Sequence, residues 1–239
     1  MEKAKKLKLF IGLFYLIFVG LFLYYFFSKF SLQEITSYGF IKSNRDYFFQ
    51  LRQSNLFLLF FLFLFFTIIW VLAGGFGSPI ALFGGFIFGK WIGSLVVVLG
   101  LSIGAVLLYT FANYFLKDLI QDKFLIKYKN LEIKFKKSEF IYLLLYRFVG
   151  GIPFAISNIL PCIFNVKKYN FFWATSLGIL PQIFLICSIG SGLEKIIDQN
   201  QEPPRIIDLI TSANIYIPLV IFGCLVMITI FLRKLFYKK

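Results

Sequence analysis

Six long uncharged runs constrain this 239-residue chain more than any other feature. They cover residues 9–28, 53–89, 91–116, 148–166, 169–193 and 209–232, and they contain 20, 37, 26, 19, 25 and 24 residues. A helix needs about 20 apolar residues to cross the hydrocarbon core of a bilayer, so nearly every run is long enough. The pattern predicts an all-α polytopic membrane protein with about five to six transmembrane helices. It excludes a soluble enzyme, a nucleic-acid-binding domain and a disulfide-stabilised secreted domain as descriptions of the whole chain.

The charged residues lie in short segments between these runs. The net charge of +14 comes from 25 Lys and Arg against 11 Asp and Glu. Because the excess flanks apolar runs, it indicates membrane orientation and contact with anionic lipids rather than with nucleic acid. Histidine is absent, which removes histidine zinc ligands and histidine-activated nucleophiles. The three cysteines lie in separate runs without C-x-x-C spacing. We therefore expect no catalytic residues, no metal site and no cofactor.

The 37-residue run is too long for one span, because a helix of that length would measure about 55 Å against a core of about 30 Å. Residues 55–73 suit a helix, and the glycines and proline between Gly74 and Pro79 then break it. The apolar segment that remains, 79–89, is too short to cross. It predicts a re-entrant hairpin at 74–92, whose broken backbone must be buried or face water, followed by a span at 91–116.

The same order of parts recurs in the second half of the chain. A hairpin at 140–166 is interrupted by Gly150, Gly151 and Pro153, and a span at 169–193 follows. Paired interrupted segments in two halves of a chain point to a transporter with a weak, inverted internal repeat. A bundle with two kinked helices is the alternative.

These segments divide the chain into three parts. Residues 1–54 form an N-terminal transmembrane helix and a polar loop, 55–195 form the central membrane domain, and 196–239 form a loop and a C-terminal transmembrane helix. Residues 117–139 are either an amphipathic helix on the membrane surface or a solvated loop. Five spans with two re-entrant hairpins place the basic termini on opposite sides, against the positive-inside rule. Six crossings place both termini in the cytoplasm, yet they require the short first hairpin to cross.

Arg147 is the most informative single residue. It lies between apolar stretches beside the second break, where an ionisable group indicates a functional site and a guanidinium can bind a phosphate. The alternative is that Arg147 extends to the interface and sets orientation. Asn158 must find a hydrogen-bond partner, either in the broken backbone or in a substrate. Small residues every fourth position from Ala81 to Gly93 favour close helix packing, or else a backbone that lines a path.

Two groups of residues together resemble the DedA superfamily, also called VTT-domain or SNARE-associated-Golgi-type membrane proteins. The first group is Pro79, Leu82, Gly84, Gly85, Phe88, Gly89, Gly93 and Gly104. The second is Arg147, Phe148, Gly151, Ile152, Pro153, Phe154, Asn158, Pro161, Phe172, Thr175, Gly178, Pro181, Gly190 and Gly192. The resemblance covers residues 70–195 and is strongest to a bacterial branch that lacks the hairpin acid of DedA proper. It implies two re-entrant hairpins facing each other across the membrane and lipid movement between leaflets.

The sequence therefore predicts a lipid transporter or scramblase for phospholipids or polyprenyl phosphates, in which Arg147 binds the phosphate. The residues expected to line the path or shape the hairpins are Pro79, Gly84, Gly85, Gly89, Gly151, Pro153, Asn158, Pro161 and Pro181. The expected partners are anionic membrane lipids and a second copy of the chain, without nucleic acid. The expected location is the bacterial plasma membrane. A small-ion or metabolite transporter and a non-transporting assembly protein are the alternatives.

Overall fold

A computed structural model describes residues 2–29, 38–149 and 152–198, together with isolated positions between 216 and 227. Every element in these ranges is helical, which confirms the all-α prediction. The elements are α1 (Glu2–Lys29), α2 (Tyr38–Ser54), α3 (Leu56–Leu72), α4 (Gly77–Lys137), α5 (Glu139–Val149), α6 (Phe154–Ile159), a 3-10 helix (Leu160–Phe164) and α7 (Lys168–Asp198).

Helix α2 lies within the stretch predicted as a polar loop. It is amphipathic, and its last part meets α3 at an angle of 118°. Asn55 forms the corner, because its side-chain oxygen accepts a hydrogen bond from the backbone N–H of Leu58 at 3.0 Å and caps α3. The chain therefore turns sharply before its longest apolar run begins.

Helix α4 doubles back at Gly89, whose positive φ of 77° is open to glycine and costly for other residues. A Cβ added to Gly84 would lie 2.4 Å from a methyl group of Val97, and one added to Gly77 would lie 3.3 Å from Leu101. A straight helix would hold the second pair about 36 Å apart. Helix α4 thus consists of two antiparallel segments, α4a (77–88) and α4b (90–137).

Segment α4a also runs antiparallel to α3, and the two form the first hairpin. The rings of Phe63 and Phe88 meet edge to face at 5.4 Å, and Arg52 donates a hydrogen bond to the carbonyl oxygen of Ile87 at 3.1 Å. The closed end, or tip, of this hairpin is residues 73–76, and its open end lies at Asn55 and Gly89. The hairpin predicted at 74–92 therefore begins earlier in the chain, because its first arm is α3 and its second arm is α4a.

The second hairpin pairs α5 with α6 and the 3-10 helix. Glu139, at the start of α5, accepts hydrogen bonds from the backbone N–H of Lys167 at 3.0 Å and from the Asn170 amide at 2.9 Å. The tip of this hairpin is described at Ile152 and Pro153, and the preceding Gly150 and Gly151 lie outside the described residues. The chain leaves the open end through Asn165, whose φ is 48°. Gly89 and Asn165 thus take equivalent places after the two hairpins.

The open ends of the two hairpins lie at opposite ends of the bundle. Segment α4b begins beside the first open end, and near its far end the Tyr109 hydroxyl donates to the carbonyl oxygen of Val166 at 2.7 Å. The Asn113 amide lies 3.4 Å from the Asn165 amide oxygen. Residues 90–113 cover about 35 Å as a helix, close to the thickness of a hydrocarbon core. The two tips therefore approach each other midway between the ends.

Helix α7 packs so closely against both hairpins that there is no room for a side chain at the contact positions. A Cβ added to Gly190 would lie 2.1 Å from the carbonyl oxygen of Leu82, and one added to Gly85 would lie 2.1 Å from that of Cys187. On the other hairpin, a Cβ on Gly178 would lie 2.5 Å from the Cβ of Arg147. Residues 81–93 do not form one small-residue face, because the chain reverses at Gly89.

Two stretches, Gly77–Phe115 and Lys168–Glu194, are long and apolar enough to cross a membrane, and the bent pair α2–α3 would make a third. The described residues thus account for two to three of the five to six predicted spans. Large apolar side chains lie exposed on these helices, among them Phe57 (80%) and Trp91 (72%), as expected for lipid contact. Helix α4 continues to Lys137, so the linker is helical in this part. The predicted span at 209–232 lies outside the described residues except at isolated positions.

Candidate functional site: an arginine between two hairpin tips

A pocket of about 260 Å³ lies where the two hairpin tips meet. The first tip and the start of α4 contribute Phe76, Gly77 and Ser78, and the second hairpin contributes Tyr146, Arg147, Ile152, Pro153, Phe154 and Ser157. Helices α4b and α7 complete it with Leu101, Ile179, Gln182, Ile183 and Ile186. Among these residues Arg147 carries the charge, and none is acidic.

Arg147 lies in the last turn of α5 and is only 4% exposed. Each of its three nitrogens donates to a different polar side chain. Nε donates to Thr175 Oγ1 at 3.2 Å, one terminal nitrogen to Ser157 Oγ at 2.5 Å, and the other to Asn158 Oδ1 at 2.5 Å. The alternative interpretation of Arg147 required its guanidinium to extend to the membrane interface. The guanidinium instead lies inside the bundle.

Aromatic rings enclose the guanidinium. Its carbon lies 5.0 Å from the centre of the Phe171 ring and 5.2 Å from that of Phe154, distances at which a cation is attracted to the ring face. No carboxylate among the described residues pairs with Arg147, so its charge is held by neutral groups. A guanidinium has five N–H donors, and three such bonds leave two of them for a ligand.

Gln182 links α7 to the end of α5. Its amide nitrogen donates to the carbonyl oxygen of Phe148 at 2.7 Å and lies 3.4 Å from that of Arg147. These carbonyls belong to the last turn of α5, where helix geometry leaves them without an intrahelical partner. Gln182 thereby fixes the second tip relative to α7.

The predicted site residues have different positions around this pocket. Arg147 and Pro153 line it. Asn158 is fully buried behind it, its oxygen accepts a hydrogen bond from Arg147, and its amide nitrogen has no partner among the described residues. Pro79 is exposed in the first turn of α4, and Gly89 forms the reversal of that helix. Gly84 packs against Val97, and Gly85 packs against Cys187. Pro161 is buried in the 3-10 helix, and Pro181 lies within α7. Gly151 lies outside the described residues. Their role in lining a path stays a prediction.

Two site residues, Ser157 and Gln182, are not singled out by the sequence pattern. Arg147 lies three residues before Gly150 and Ser157 lies four residues after Pro153, so each is about one helical turn from the break, and pairing residues about the break would have found Ser157. Gln182 is the one glutamine in the run 169–193, next to Pro181. A polar amide in an apolar run is the signal that already marks Asn158.

Comparison with known proteins identifies the architecture. The VTT domain family matches residues 75–192, about half of the chain, which includes α4a, α4b, the second hairpin and most of α7. An uncharacterized protein of Bacillus subtilis (strain 168), YqeD, is 28% identical over 114 residues, which cover 47% of this chain and 55% of that protein. The transmembrane protein 41 homolog of Caenorhabditis elegans is 26% identical over 136 residues, which cover 54% and 55%.

The chain thus spans about half the length of these curated relatives. No solved structure matches it. The helical bundle, its apolar exposed surface and its paired hairpins define a polytopic membrane protein. Within that class, the chain belongs to the VTT-domain, or DedA-like, family.

Proposed function

We propose that this protein is not an enzyme but moves phosphate-bearing lipids between membrane leaflets, as a transporter or scramblase, with Arg147 binding the head-group phosphate. The observation that carries the proposal is a buried arginine that lacks a carboxylate partner among the described residues and lines a pocket between two tips. Taking a charge out of water costs several kcal/mol unless a partner offsets it. A phosphate supplies the missing charge and accepts two parallel N–H bonds from a guanidinium.

The position of the pocket supports this role. It lies between the two tips, and we place the tips near the middle of the membrane because the open ends are about 35 Å apart. Gly77 and Ser78 line the pocket from the first turn of α4, whose N–H groups have no intrahelical partner and add partial positive charge. A head group crossing there meets polar groups while its acyl chains remain beside the exposed apolar faces.

The proposed location is the plasma membrane, with four crossings. These are α1, α4b, α7 and the predicted C-terminal helix 209–232, while each hairpin enters from one side and returns to it. This arrangement puts both termini, the linker 117–139 and Lys167 in the cytoplasm. To test it, Gln53→Cys and Lys167→Cys variants, in a background without other cysteines, are treated with an impermeant maleimide on intact cells. We expect labelling at position 53 and protection at 167, and labelling of both would contradict the topology.

Reconstitution tests the lipid proposal. Purified protein is placed in vesicles that carry a trace of head-group-labelled phospholipid, and an impermeant quencher is added outside. We expect quenching of the inner-leaflet probe at a rate that protein-free vesicles lack. Full protection of that probe for several phospholipids and for a polyprenyl phosphate would refute the proposal.

The size of the pocket favours a second candidate, a transporter of small anions. At about 260 Å³ it is smaller than the roughly 300–1,000 Å³ of sites for drug-sized ligands, so a free phosphate or small organic anion also fits. Efflux of entrapped inorganic phosphate from the same vesicles, without lipid redistribution, would favour this candidate over lipid transport.

A further inference from the structure

Gln182 is the polar side chain on α7 that lines the pocket without bonding to Arg147's guanidinium. Its orientation follows from chemistry, because the carbonyl oxygens of Phe148 and Arg147 are acceptors and can face only the amide nitrogen. Both N–H groups of that nitrogen therefore face backbone carbonyl oxygens. The amide oxygen, Oε1, makes no hydrogen bond with any residue in the described ranges.

Besides the Tyr146 hydroxyl, which also lines the pocket and has no hydrogen-bond partner among the described residues, the pocket therefore holds two unlike binding groups. Arg147 presents donors and a positive charge, and Gln182 presents one neutral acceptor on the adjacent wall. A bare phosphate ester of an alkyl alcohol satisfies Arg147 and leaves the acceptor without a partner. A head group whose alcohol also carries a hydroxyl or N–H group satisfies both, and a site with an unsatisfied acceptor discriminates against ligands that lack the donor.

We propose that Gln182 is a specificity-determining residue that accepts a hydrogen bond from a hydroxyl or N–H group of the head group while Arg147 binds its phosphate. This inference rests on the proposed lipid function and deepens it. Gln182 selects lipids by their hydrogen-bond donors and not by their net charge, because its side chain is neutral.

The test uses two pairs of lipids that are matched in charge. Phosphatidylglycerol and phosphatidylethanol are both anionic, and only the first has free hydroxyls. Phosphatidylethanolamine and phosphatidylcholine are both zwitterionic, and only the first has N–H donors. Transfer rates are measured in vesicles for the wild type, Gln182→Met and the control Gln53→Met, which changes an exposed glutamine outside the pocket.

We expect wild-type protein to transfer the donor-bearing member of each pair faster, by about two- to twelvefold, the effect of one ordinary hydrogen bond. Gln182→Met should bring the ratio close to one, and Gln53→Met should leave it at the wild-type value. If Gln182 only holds α5 against α7, its loss slows both members equally and the ratio stays unchanged, which would overturn the inference. Absence of any transfer by the wild type would overturn the proposed function itself.

Discussion

Replacement of Arg147 by methionine separates the charge of this residue from its volume. Methionine is flexible and comparable in volume, so it fills much of the space without a cation. The substitution removes the hydrogen bonds to Thr175, Ser157 and Asn158. Since Arg147 is 4% exposed, the change acts on the pocket and its neighbours rather than on the outer surface.

The expected effect on transport follows from the cost of a charge inside the membrane. An isolated ionised group at the centre of a bilayer costs at least about 2.5–3.5 kcal/mol. If Arg147 offsets that cost for a phosphate, its removal slows transfer by roughly two orders of magnitude. The free energy of unfolding should change much less than the transfer barrier. The lost bonds contribute about 1.5–3 kcal/mol each, but the desolvation penalty of a buried arginine, several kcal/mol, disappears with them.

The assay is the vesicle quenching experiment, combined with thermal unfolding of each variant in detergent. Arg52→Met is the matched control, because Arg52 also donates from a partly buried guanidinium, at 3.1 Å to the carbonyl oxygen of Ile87, but lies at the open end of the first hairpin. We expect near wild-type transfer from this control. Wild-type transfer by folded Arg147→Met protein, or an equal loss in both variants, would refute the reasoning.

Three further predictions test the packing of the fold. Gly190→Ala places a Cβ 2.1 Å from a backbone oxygen of α4a and should destabilise the protein by about 1–3 kcal/mol in thermal unfolding, whereas Gly20→Ala, with open space around it, should not; equal midpoints would contradict the contact. Glu139→Ala removes two hydrogen bonds at the second open end and should lower the unfolding midpoint, while Glu139→Gln, which keeps an acceptor oxygen, should retain most of it. Cys162 and Cys187 are buried, so a maleimide should modify neither in folded protein in detergent and both after denaturation, and modification of folded protein at the denatured rate would show that the core is open.

Much of the backbone can be predicted from run lengths and breaks. The glycine and proline interruptions fall at the two tips, and the predicted spans 91–116 and 169–193 lie within α4b and α7 (Lys168–Asp198). These features are local, since a break depends on residues that cannot continue a helix. The partners of each element are not local. Gly85 and Gly190 show why: a Cβ added to either would lie 2.1 Å from a backbone oxygen, and the residue that supplies this oxygen lies about 100 positions away.

The candidate site shows the same division between local and distant information. Arg147 is visible in the sequence because an isolated charge in an apolar region is conspicuous. Thr175 and Gln182 become part of the site only through the packing of α7 on α5, where Gly178 has no side chain to keep the helices apart. A count of apolar residues in each run cannot predict the contact between α5 and α7.

The proposed topology removes the conflict that the sequence shows between charge and the number of crossings. Counting residues 55–73 as a full span gives five crossings, an odd number, and separates the two basic termini. The antiparallel contacts of α3 with α4a, at Phe63 and Phe88, instead make α3 an arm of a hairpin. In the proposed topology α3 and α4a together form one re-entrant unit, the crossings number four, and both basic termini lie on the same side. In that topology the positive-inside rule and the short first hairpin are compatible, because residues 55–73 do not count as a separate span.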